Sequence, residues 1–83
     1  MNSFRNLEYV LNKIIKVTPD IEDNKNLLQE LNNIRKDIIY KAPELHIYYW
    51  IMTQNILQKY IPIIDNNKPW QNEILIIFND KIS

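Results

Sequence analysis

Four prolines, at positions 19, 43, 62 and 69, limit how far any helix in this chain can run. Proline removes a backbone donor and clashes with the preceding turn, and it pushes the residue before it out of the helical region. Regular structure must therefore form between these positions. Glycine is absent altogether. The chain thus lacks the residue that most readily takes positive φ, and Gly-rich phosphate loops of the dinucleotide and nucleotide kinds are excluded.

Between the prolines, apolar residues recur at helical spacing. In residues 3–17, Phe4, Leu7, Leu11 and Ile14 form a stripe with Val10 and Ile15 beside it, and Arg5, Asn6, Glu8, Asn12, Lys13 and Lys16 lie opposite. Asn2 or Ser3 is expected to cap this helix, and Thr18 before Pro19 to end it. Thr18-Pro19-Asp20 also resembles a helix start, so a short helical turn is expected to bridge to the next element, with Asp23 as a second cap. Residues 24–41 carry Leu27, Leu28, Leu31, Ile34, Ile38 and Ile39 in the same rhythm. Ala42-Pro43-Glu44 then stops one helix and starts another.

The third segment, 44–61, contains LHIYYWIMTQNILQKYI. At 100° per residue, Leu45, Tyr48, Tyr49, Met52, Ile56 and Tyr60 share one face. Trp50, Leu57 and Ile61 adjoin it, giving an apolar arc of roughly 220° interrupted by His46 and Thr53. Asp65-Asn66-Asn67-Lys68-Pro69 is a turn signal. Residues 69–79 then place Trp70, Ile74, Ile77 and Phe78 at helical spacing. The run at 74–78 has strand propensity too, but Ile63-Ile64 is its sole short partner, and an isolated strand pair is marginal in water. Helix is therefore expected. The predicted fold is a single domain over 1–83, all-α, with four helices in a compact arrangement around a central third helix.

Composition narrows function mainly by exclusion. Ten basic and ten acidic residues leave no net charge, and no cysteine is present for disulfides, thiolate catalysis or thiolate-bound zinc. Residues 1–42 carry seven basic and six acidic side chains, and residues 43–83 carry three and four, so neither half is a polycation. The N-terminal sequence is too polar for a secretory core, and no apolar run approaches the length of a membrane helix. A cytoplasmic or otherwise intracellular protein that does not enter membranes is expected. Asn, Ile, Lys and Tyr make up about half of the chain. All four use A/T-rich codons, which points to an AT-rich genome such as that of a large DNA virus, a phage, a low-GC bacterium or certain protists.

No catalytic or metal motif emerges. His46 is the one histidine, with no thiol to activate, and is expected to be partly exposed near a helix start. The acidic run Asp20 to Asn24 fails as a calcium loop, because the glycine position holds Lys25 and the bidentate glutamate position holds Leu31. Helix capping explains it. Glu44, Asp65, Glu73 and Asp80 have capping, turn or solvated-face roles. No enzyme activity, cofactor or metal is expected.

What remains is the excess apolar surface of the third helix. Three companion helices would struggle to cover it all, and exposed contiguous apolar patches mark interaction sites. A non-enzymatic protein–protein interaction module, or a small regulatory or structural protein, is expected to bury a face of helices three and four against a partner or a second copy, a homodimer being the simplest case. The expected interface residues are Ile47, Trp50, Ile51, Leu57, Ile61 and Trp70. The alternative is a small DNA- or RNA-binding regulator of helix-turn-helix type, on the mildly basic first helix.

Overall fold

The computed structural model describes residues 6–61 and 68–80. Within them are four α-helices and no strand: α1 (Leu7–Val17), α2 (Lys25–Ile38), α3 (His46–Tyr60) and α4 (Pro69–Asn79). Short 3-10 turns, Glu22–Asn24 and Pro43–Leu45, lead into α2 and α3. The all-α four-helix expectation is met, and α4 has the expected limits with residues 74–78 helical. The first helix starts at Leu7 and not at residue 3, with extended Asn6 as its cap in place of the expected Asn2 or Ser3; Phe4, Pro62, the Ile63-Ile64 pair and the Asp65 to Asn67 turn lie outside the described residues.

Local chemistry accounts for most boundaries. Asn6 caps α1, its Oδ1 accepting from the amides of Glu8 at 2.9 Å and Tyr9 at 3.3 Å. Thr18, extended before Pro19, closes the helix, and its hydroxyl donates to the Ile14 carbonyl at 2.7 Å. The capping role expected of Asp23 falls to no side chain. Asn24 occupies that place instead, buried, with its amide donating 3.0 Å to the Pro19 carbonyl and so tying the start of α2 to the end of α1. At its far end α2 stops before 41. Tyr40 and Lys41 donate to the carbonyls of Asp37 and Ile38, both at 3.1 Å, in the tighter pattern of a fraying helix end.

The core is made by Leu7, Val10, Leu11 and Ile14 of α1, Leu27, Leu31, Ile34 and Ile38 of α2, Leu57 of α3 with Ile61 just beyond it, and Ile74 of α4. All four α1 residues are fully buried. α1 packs against α2, α3 and α4, whereas α3 packs chiefly against α2 and touches α1 more lightly. The central place expected for the third helix therefore goes to α1. Compact aliphatic side chains let three neighbours approach α1 closely. The large rings of α3 fill space instead: Trp50 reaches across to Phe78 of α4, ring centroids 5.5 Å apart and tilted by 55°, although the two backbones make no close approach. Ile39, expected in the α2 stripe, is exposed at the end of the helix.

Candidate protein-docking face on α3

The orientation of α3 is set by a residue that interrupts its apolar arc. Thr53 is fully buried, and its hydroxyl donates to the Tyr49 carbonyl one turn back at 2.7 Å. The polar group is satisfied within its own helix, so it costs little to bury, and the small side chain lets the helix settle onto its neighbours. Helical geometry then carries Tyr49, Trp50, Ile56, Leu57 and Tyr60 inward with it, and all are buried or half-buried.

The opposite face divides along its length. Its C-terminal half carries the exposed polar residues Gln54, Asn55, Gln58 and Lys59. The N-terminal half, with the turn before it, exposes large apolar side chains: Leu45 at 42%, Ile47 at 37%, Tyr48 at 61%, Ile51 at 50% and Met52 at 46%. Ile39 and Tyr40, at the α2 end that leads into this turn, are exposed as well.

The residues expected at an interface therefore separate. Ile47 and Ile51 lie on the open face. Leu57 and Ile61 are buried in the protomer's own core, at 2% and 5% exposure, and are not available as anchors. Trp50 and Trp70 are half-buried and packed against the core. Leu45, Tyr48 and Met52, placed by sequence on the main buried stripe, instead point outward. The cause is Thr53: counted as a polar interruption, it moves the expected centre of burial by about a quarter turn. The signal was present in Gln54, Asn55, Gln58 and Lys59, since the direction opposite a polar cluster of that kind is the one that packs inward.

A polar clamp holds the C-terminal half of α3 to α2. Glu30 Oε2 accepts from Lys59 Nζ at 3.3 Å and from the Tyr60 hydroxyl, and Lys59 Nζ lies 5.0 Å from the centre of the Tyr60 ring. The hydrogen bond from Tyr60, with help from Lys59, holds the Glu30 carboxyl below its ordinary value. The same bond raises the Tyr60 phenol, and Glu30 raises the Lys59 ammonium. A depressed carboxylate stabilises the fold above its unfolded value near 4.5, and that contribution is lost as pH falls through the lower folded value. The raised phenol and ammonium contribute below their ordinary values of 10.0 and 10.5, and the contribution is lost as pH rises through the folded ones. Tyr60→Phe is expected to flatten both limbs of a plot of melting temperature against pH. Unchanged limbs would show that the clamp does not contribute in solution.

A groove of about 110 Å³ runs between α3 and α4, with Leu57, Ile61, Leu75 and Phe78 among its walls and Gln54 and Gln58 as polar members. Ligand sites typically enclose about 300–1,000 Å³, so it is too small for a substrate of ordinary size. Among the described residues no group of three His, Cys, Asp or Glu side chains is placed to hold a metal. His46 is half-buried, and its Nε2 has no hydrogen-bond partner among the described residues. On α1, Lys13 Nζ sits 5.3 Å from the Tyr9 ring centre, and Arg35 of α2 donates to Asn12 at 3.0 Å. No described helix is long and apolar enough to cross a membrane.

Compared with protein-family models, curated proteins and solved structures, the chain matches none.

Proposed function

We propose that this protein is a non-enzymatic interaction module that docks against another polypeptide through the N-terminal half of the outward face of α3. The observation that carries this function is the joint exposure of Leu45, Ile47, Tyr48, Ile51 and Met52. Applied to whole-residue areas, their exposed fractions amount to roughly 500 Å², in the range of the largest surface patches of monomers, which are often functional. Covering such a face stabilises the complex through the hydrophobic effect, with Tyr48 supplying the aromatic contact favoured at binding hot spots. Docking is helix against helix, because the exposed residues are spaced to fill the groove of a facing helix.

This function differs from the sequence expectation in its anchors. Tyr48, Met52 and Leu45 join Ile47 and Ile51, while Leu57 and Ile61 belong to the protomer's own core and Trp50 and Trp70 pack against it.

The double variant Tyr48→Ser, Ile51→Lys tests it, because both positions are exposed and their replacement leaves the core intact. The wild type is expected either to self-associate or to bind an apolar fluorescent dye. The double variant should lose whichever behaviour is seen, with an unchanged far-UV circular dichroism spectrum. A wild type that stays monomeric and dye-silent overturns the proposal. So does retention of nucleic acid in a low-salt gel-shift titration that the double variant leaves intact, which would move the function to the α1 surface.

A further inference from the structure

We propose that α4 is a displaceable flap, which undocks from α1 as a unit while α1, α2 and α3 stay folded and so opens the groove between α3 and α4. Three observations carry this.

The first is how the helices are joined. α1, α2 and α3 each pack against the other two and form a closed set, whereas the backbone of α4 comes close to α1 and to no other helix among the described residues. Towards α3, α4 is met by side chains and not by a packed backbone, with the Phe78 ring centre 5.5 Å from that of Trp50. Leu57 and Ile61 form one wall of the groove between them, and Leu75 and Phe78 of α4 form the other. Undocking α4 therefore breaks one helix pair and leaves the three pairs of the closed set in place.

The second is what α4 buries. Of its eleven residues, Gln71 and Ile74 are the buried ones. Trp70, Leu75, Ile77 and Phe78 are half-buried against the core, and Ile76 is exposed. α1, of the same length, buries Leu7, Val10, Leu11 and Ile14, all aliphatic. The burial of Ile74 and of the apolar flank beside it keeps the closed form dominant. Giving it up is nevertheless a smaller step than unfolding the three-helix set, and parts of a fold that differ in this way open separately.

The third is Gln71 itself. It lies one turn before Ile74 on the same face, 7% exposed, and its Oε1 is buried with no hydrogen-bond partner among the described residues. An acceptor buried without a donor has lost its bonds to water and gained none in return. Undocking gives that oxygen back to water, so the one polar side chain buried in the α4 contact favours the open form.

Native-state hydrogen exchange of the full chain tests the flap. Amides of residues 74–76, in the middle of α4, should be protected at least about tenfold less than the slowest amides of α1 and α2. Their protection should fall with urea, less steeply than that of α1 and α2, as a cooperative opening of one element requires. Ile34→Val trims one methyl from the buried side of α2. It should speed the slowest α1 and α2 amides about twofold to tenfold and leave residues 74–76 unchanged. Gln71→Met, of similar length and without the orphaned oxygen, should slow residues 74–76 by at least about fivefold.

Equal protection of α4 and the other helices, with an equal response to Ile34→Val, would mean that α4 leaves only when the whole chain unfolds, and would overturn the proposal. Exchange in residues 74–76 that does not depend on urea would also overturn it, since that is the mark of local fraying. If Gln71→Met leaves α4 exchange unchanged, the role given to the buried oxygen is overturned.

Discussion

Leu11→Ala is expected to cost about 2–5 kcal/mol, the range for truncating a large aliphatic side chain in a packed core. Leu11 is fully buried on α1, the helix that α2, α3 and α4 all contact, so no exposed surface can collapse into the space it leaves. A chain of 83 residues has a total stability of only about 4–12 kcal/mol, and the loss therefore takes a large share of it. In a thermal melt followed by circular dichroism the midpoint should fall by at least about 8 °C. A fall of under about 3 °C would mean that α1 is not the centre of the cooperative unit.

The second large effect separates the two sides of α3. Leu57→Ala should destabilise by about 2–5 kcal/mol and leave any association unchanged in the fraction that stays folded, because Leu57 is buried against the protomer's own core. Ile51→Ala should change protomer stability by no more than about 0.5–1 kcal/mol, since half of Ile51 already faces outward, and should act on association instead. Urea unfolding of both variants, read beside their sedimentation, checks the contrast. If Leu57→Ala proved harmless to folding and damaging to association, α3 would be rotated from the position described.

These two positions also show where local pattern stops informing. In the sequence, Leu57 and Ile51 both read as surplus apolar residues of the third helix, although the polar cluster Gln54, Asn55, Gln58 and Lys59 lies on the side of Ile51 and not of Leu57. Thr53 decides between them. A hydroxyl counts as polar in a hydropathy pattern, yet in a helix it can bond to the carbonyl four residues back, as it does to Tyr49, and enter the core at little cost. α1 and α2 posed no such difficulty. Each has a narrow stripe and a polar remainder, so its inward direction follows from its own residues, and Leu7, Leu11 and Ile14 and Leu27, Leu31, Ile34 and Ile38 were all placed correctly. The misplaced Ile39 lies at the frayed α2 end, where the stripe runs out past the last turn that packs.

The candidate face was half legible for the same reason. That α3 carries more apolar surface than its companions cover could be argued from chain length and arc width, and Ile47 and Ile51 followed from it. That Tyr48, Met52 and Leu45 belong to this surface and Leu57 and Ile61 do not depends on how α3 is turned.

The sequence by itself determined the four helices and their approximate limits, including the helical state of residues 74–78. Prolines, polar caps and a repeat near 3.6 residues act over a few positions and need no neighbours to have their effect. Only the tertiary structure decided which helix lies at the centre and which side of α3 is left open. A helix with an apolar arc of roughly 220° leaves a wide range of inward directions open, so its rotation is chosen by what fits the surfaces beside it. Here the small, self-satisfied Thr53 is turned fully inward, and Tyr48, Ile51 and Met52 are left facing outward.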